Sequence, residues 1–200
     1  MPGEERRPLA SRQWAWTQAL AGWLARRGAT PNGISVAGMF AGILAGVCLA
    51  ATQYASISAP WFVAAAVLVQ LRLLANLLDG MVAYEQQSIS PLGAMYNEVP
   101  DRISDAATLI GAGLAVGGIP ELGYLAALLA VFLAYVRAQG AVAGAGHEFC
   151  GPMAKPQRMA AVTLAAILAA AAGRDWQVSV SAPGWGVMAL ALAVIIAGEV

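Results

Sequence analysis

Long apolar stretches alternate with short polar ones along this chain, and their lengths set the first expectation. A hydrocarbon layer of about 30 Å is crossed by about 20 apolar residues in helical form. Six stretches approach that length: 33–53, 60–84, 92–117, 119–141, 157–173 and 182–198. Turn signals divide them, among them Ser56-Ile57-Ser58-Ala59-Pro60 before Trp61, Gly117-Gly118-Ile119-Pro120, and Ala182-Pro183-Gly184. Ahead of the first stretch, Trp14, Trp16, Leu20, Trp23 and Leu24 recur at helical spacing beside Arg12, Arg26 and Arg27. That pattern suits a helix lying in the membrane interface, or a soluble helix packed on the protein. The basic leader is too long for the n-region of a signal peptide and is read as retained. The pattern predicts an all-α integral membrane protein, with six transmembrane helices and an N-terminal amphipathic interfacial helix. Residues 1–28 form the interfacial segment and 29–200 the membrane domain.

Composition agrees with the pattern. Of 200 residues, 60% are apolar and only 11% charged, too few to clothe a water-exposed surface. Eleven Lys and Arg balance eleven Asp and Glu, so no global field draws the chain onto nucleic acid. Cys48 lies in an apolar stretch and Cys150 in a polar one, which suggests neither a disulfide framework nor a zinc site. Abundant Ala and Gly permit close helix packing in lipid without any internal repeat.

Basic residues set the orientation, because cytoplasmic flanks carry their excess. Arg6, Arg7, Arg12, Arg26 and Arg27 precede the first span, and Arg137, Lys155 and Arg158 flank the loop at 142–156. With six spans both sets fall on one side, and the other side has only Arg174. Both termini, the loop near 85–91 and the 142–156 loop are therefore expected in the cytoplasm, with the chain in an inner or plasma membrane.

The second and third spans depart from the apolar pattern, carrying Arg72, Asp79, Glu98, Asp101, Arg102 and Asp105. A charge at membrane depth costs a few kcal/mol, so such groups line a watery cavity, pair, or bind an ion. Arg72, Asn76, Asp79 and Ala83 share one helical face, with Gly80 beside it; Gly93, Asn97, Asp101 and Asp105 repeat every four residues on the next span. A short connection makes these spans antiparallel, which brings Asn76 and Asp79 towards Asn97 and Asp101. Carboxylate and amide oxygens suit a hard divalent cation such as Mg²⁺, which commonly works with substrate phosphates. Gly80, Ala83 and Gly93 leave room for a nucleotide or pyrophosphate, or serve plain helix packing.

These residues resemble the CDP-alcohol phosphotransferase family, whose signature is D-x2-D-G-x2-A-R-x8-G-x3-D-x3-D. Here the stretch runs Asn76-Leu77-Leu78-Asp79-Gly80-Met81-Val82-Ala83-Tyr84, eight residues, Gly93, three residues, Asn97, three residues, Asp101. Every spacing matches, and Thr30-Pro31-Asn32-Gly33-Ile34-Ser35 looks like the family's segment before the first span. Two motif aspartates are Asn76 and Asn97, and the arginine is Tyr84. The resemblance implies one or two Mg²⁺ or Mn²⁺ ions held by Asp79 and Asp101 with Asn76 and Asn97, and Asp101 as catalytic base. It implies CDP binding around Gly80, Ala83, Gly93, Asn32 and Ser35, although capping of the first span explains Asn32 and Ser35 equally well. The implied reaction is attack by an acceptor hydroxyl on the β-phosphorus of a CDP-linked lipid donor such as CDP-diacylglycerol, with release of CMP, in phospholipid biosynthesis. A homodimer is implied as well.

Arg102, Arg137, Lys155 and Arg158 are candidate acceptor-binding residues for a small or phosphorylated alcohol, though topology alone explains arginines at span ends. His147 is a lone loop histidine with no partner spacing. Two other readings stand beside the transferase: a family member that binds nucleotide-lipid with weakened or lost catalysis, and a small transporter using the acidic cluster as an ion relay.

Overall fold

A computed structural model describes residues 14–86, 93–144, 153–179 and 185–200. His147, Cys150 and Arg6, Arg7 and Arg12 lie outside them, as does most of the 142–156 loop. The described residues form seven helices: α1 (Ala15–Arg26), α2 (Pro31–Ala51), α3 (Ala59–Glu85), α4 (Gly93–Leu114), α5 (Pro120–Val142), α6 (Lys155–Ser179) and α7 (Val187–Glu199). Proline opens α2, α3 and α5, where its missing N–H costs nothing. Gly173, with φ 70° and ψ 171°, breaks α6 near its end.

Four helices are long and apolar enough to cross a membrane: α2, α3, α5 and the Lys155–Gly173 part of α6. The expectation of six is met only this far. α4 has Glu98, Asp101, Arg102 and Asp105 within four turns, and α7 has only 13 residues. Both nevertheless belong to the same core. Cys48, Leu49, Phe62, Leu109, Ala112, Ala126, Val162, Ala165, Leu192 and Ile195 are buried together. Many of the core residues are alanine, whereas large side chains such as Phe40, Leu44, Val67, Leu71, Leu128, Phe132 and Ile167 point outwards. Small residues inside and large apolar ones outside are the arrangement of a helix bundle solvated by lipid. The protein is an integral membrane protein.

α1 uses one face to dock on the bundle: Ala21 is buried with Leu78 and Val82 of α3, beside Leu20 and Leu24. Trp14, Trp16 and Trp23 remain outside, with Arg27 over the Trp23 ring at 5.0 Å. Packing on the protein and exposure of tryptophans thus occur together.

α2 and α4 make the closest approach. Gly38, Gly42 and Gly46 lie four residues apart on one buried face of α2. A methyl group added at Gly42 would stand 2.5 Å from Ser104 Cβ, so only glycine lets α4 come this near. Thr108 Oγ1 donates to Gly42 O at 3.2 Å, and at the far end Val116 N donates to Thr52 Oγ1 at 2.9 Å. This contact fixes the height and rotation of α4, which carries half of the polar cluster.

Candidate active site

The polar residues meet at one end of the bundle, where α2, α4 and α6 begin and α3 and α7 finish. Asn76 Nδ2 lies 3.0 Å from each carboxylate oxygen of Asp101 and 3.4 Å from Asn97 Oδ1. Asp79 faces α2, where Ser35 Oγ donates to its Oδ2 at 2.7 Å, and the Gly80 N–H donates to Oδ1. Ser35, Gly38, Arg72, Asn76, Asp79 and Asp101 line a small polar cleft between α2, α3 and α4. Asn76, Asp79 and Asp101 share it, as helical spacing suggested; Asn97 touches it through Asn76.

Charge is arranged as an alternating run. Lys155 at the start of α6 is paired with Asp101, Asp101 with Arg72 at 3.2 Å, Arg72 with Asp105, Asp105 with Arg158 at 3.4 Å, and Arg158 with Glu199 at 3.0 Å. Arg72 also donates from Nε to Ser104 Oγ at 3.0 Å. Arg72 and Asp105 are each 1% exposed. Burial at this level is tolerated because each charge meets its opposite, the condition for keeping ions away from water. Among the described residues Arg72 Nη1 has no hydrogen-bond partner, and it belongs to a side chain that lines the cleft. Asp79 stands outside the run, with no cation at ion-pair distance among the described residues.

Other expected site residues are dispersed. Gly80 adjoins Asp79, Ala83 lies a turn further along α3, and Gly93 begins α4; none lines the cleft. Asn32 does not cap α2: Thr30 does, accepting from the Gly33 N–H at 3.1 Å. Ser35 is engaged with Asp79 instead, so capping does not explain it. Tyr84 is 76% exposed on the last turn of α3. Arg102 pairs with Glu98 one turn back, and Arg137 lies near the end of α5. Lys155 and Arg158 are drawn into the ionic run. Sequence reasoning missed Gly38, Ser104 and Glu199; the four-residue recurrence of Gly38, Gly42 and Gly46 was the available signal for the first.

The family model for CDP-alcohol phosphatidyltransferase matches residues 28–197. The chain belongs to this family. Crystal structures of phosphatidylinositol phosphate synthase from Mycobacterium tuberculosis share its fold. The form with CDP-DAG bound is 19% identical with a TM-score of 0.69, covering 92% of this chain and 87% of that one. The form with manganese and citrate is 19% identical at 0.70, covering 92% and 83%. The apo form is 21% identical at 0.66, covering 90% and 92%. No curated protein matches the chain significantly.

CDP-alcohol phosphatidyltransferases use divalent metals, so the donor set can be tested against that use. Among the described residues no group of three or more His, Cys, Asp or Glu side chains is placed to hold an ion. Two of the four motif positions are amides, and Asn76 turns its N–H₂ towards Asp101 rather than offering an oxygen. Both Asp101 oxygens already accept from Asn76, with Arg72 on Oδ1 and Lys155 on Oδ2. A hard cation needs several free oxygen ligands. The residues of this cleft do not fit a two-ion centre.

Proposed function

We propose that this protein is a phosphatidyltransferase of phospholipid biosynthesis, moving a phosphatidyl or related phospho-alcohol group from a CDP-alcohol such as CDP-diacylglycerol to an acceptor hydroxyl and releasing CMP. The observation that carries the reading is the convergence of the motif residues Asn76, Asp79 and Asp101 on one polar cleft, in a chain of this family. All six helices from α2 to α7 cross or enter the bilayer, with both termini and the cleft on the cytoplasmic side. The clustering of Arg26, Arg27, Lys155 and Arg158 at the cleft's end of the bundle supports that orientation. The lipid donor keeps its acyl chains in the bilayer while its nucleotide head reaches the cleft. The homodimer implied by the family belongs to the same proposal.

In the reaction the acceptor oxygen forms a bond to the β-phosphorus, the bond from that phosphorus to the bridging oxygen breaks, and CMP leaves with the electron pair. The hydroxyl proton passes to Asp101, which lines the cleft with its side chain 16% exposed, whereas Asp79 is 4% exposed. Asp79, oriented by Ser35 and Gly80, shapes the nucleotide side. Arg72 and Lys155 hold positive charge where the diphosphate and the leaving CMP develop negative charge. Arg102 and Arg137 remain acceptor-binding candidates, while Arg158 is engaged by Asp105 and Glu199 and would have to exchange partners to meet an acceptor phosphate.

One observation favours a second reading: the amides at 76 and 97 and the lysine on Asp101 suit a protein that binds nucleotide-lipid without turning it over. CMP release from CDP-diacylglycerol separates the two, with glycerol 3-phosphate and inositol phosphate offered in turn, each with and without Mn²⁺. Release supports transfer, binding without release supports the second reading, and neither binding nor release contradicts both.

A further inference from the structure

We propose that Lys155 is a resident cation, filling at Asp101 the charge position that a metal ion fills in the family, so that the cleft engages its ligand's diphosphate through Lys155 and Arg72. This rests on the CDP-alcohol reading of the cleft and deepens it. Three observations carry it. The ammonium of Lys155, brought from α6, is buried against Asp101 Oδ2, and the side chain is only 15% exposed. Arg72 takes Asp101 Oδ1 and, among the described residues, has Nη1 unpartnered within a side chain lining the cleft, a buried donor without an acceptor there. Asn76 and Asn97 stand where the family signature has carboxylates, removing two negative charges from the same few ångströms.

The three changes answer one another electrostatically. A divalent ion beside a buried ammonium meets repulsion that a low-dielectric site screens poorly. With two anionic ligands fewer, only Asp79 and Asp101 are left in the cleft to offset it. Conversely, an ammonium among four carboxylates would leave three negative charges unmatched, whereas among two carboxylates and two amides it leaves one, which Arg72 faces. Lysine and arginine both bind phosphate oxygens, the lysine as a point charge and the arginine through directed N–H groups. An incoming diphosphate therefore has donors ready at Arg72 Nη1 and at Lys155. Drawing Lys155 from Asp101 to the phosphate would also leave that carboxylate freer to take a proton.

The test uses full-length protein in lipid nanodiscs, with helicity checked by circular dichroism. Mn²⁺ titration followed by electron paramagnetic resonance reads the metal directly. The parent is expected to bind Mn²⁺ at least about ten-fold more weakly than the folded triple variant Lys155→Met, Asn76→Asp, Asn97→Asp, with Lys155→Met alone between them. Lys155→Arg, which retains the charge, should behave as the parent. Mn²⁺ binding of equal affinity in the parent, Lys155→Met and the triple variant would overturn the proposal. A second arm measures CDP-diacylglycerol binding in EDTA and in Mn²⁺. Equal binding in both by the parent, weakened about ten-fold in Lys155→Met and restored in Lys155→Arg, is the expected result. Binding that requires Mn²⁺ would overturn the resident cation and leave the proposed function standing. Absence of CDP-diacylglycerol binding alongside the expected Mn²⁺ series would sink the proposed function and leave the charge replacement at Asp101 standing.

Discussion

Replacing Gly42 by alanine should disable the cleft from a position that touches no ligand. The added Cβ would stand 2.5 Å from Ser104 Cβ, 3.2 Å from its Cα and 3.3 Å from its backbone O. Carbon atoms rest at about 3.5 Å or more, so α4 must retreat by about 1 Å at this level. The obstructing atoms are Cβ and backbone, which no rotamer change can remove. Ser104 lies between Asp101 and Asp105 and accepts from Arg72 Nε, so the retreat opens the contacts that hold Arg72 and Asp101 together. Overpacking of this kind costs about 1–3 kcal/mol of stability. A misplacement of about 1 Å in reacting groups costs about 100-fold in rate. Gly42→Ala should therefore lower CMP release, or CDP-diacylglycerol affinity if binding is the function, far more than it lowers the denaturation midpoint. Gly140→Ala is the control, because its Cβ would meet nothing within 4 Å, and both measurements should stay at the parent's values. Gly42→Ala protein with both the parent's turnover and the parent's affinity would show that the α2–α4 spacing does not position the cleft.

Asp105→Asn removes the one anion shared by Arg72 and Arg158, leaving two buried guanidinium groups short of charge; a loss of about 3–5 kcal/mol is expected in chemical denaturation, and one below about 1 kcal/mol would mean that water reaches the run. A cysteine placed beside Arg174 in a Cys48→Ala, Cys150→Ala background should react with an impermeant reagent from outside, and one at position 147 only after permeabilisation; the opposite pattern would invert the orientation. Ala21→Leu overfills the contact with Leu78 and Val82 and should release α1 from α3 at a cost of about 1–3 kcal/mol, read as a shift in tryptophan emission.

The helices were legible because apolar length and turn residues are local: the predicted 60–84 became Ala59–Glu85 and 119–141 became Pro120–Val142. Convergence of Asn76 with Asn97 and Asp101 was legible for a similar reason, since two stripes of helical period joined by a short connection can meet only one way. What lay hidden depends on how distant helices rotate and tilt against one another. Ser35 finds Asp79 across 44 positions, and Arg158 finds Glu199 across 41. No periodicity within one helix specifies such pairs. Lys155 looked like a flanking charge because topology places basic residues there; only the packing of α6 against α3 and α7 turned it towards Asp101. α4 was counted as a span from its length, yet its charges keep it below the hydropathy of a helix that would enter lipid alone, and partners on neighbouring helices make its burial possible.

The most direct test of the cleft as a CDP-alcohol site is CDP-diacylglycerol, labelled in its cytidine, presented in nanodiscs to the parent, Asp79→Asn and Asp101→Asn. Bound label and freed CMP are counted in the same samples. The parent is expected to bind the label and release CMP, with release falling at least about 100-fold in each variant at unchanged helicity. Equal binding and equal release by all three proteins would contradict the assignment of the cleft, and so would the absence of any bound label in the folded parent.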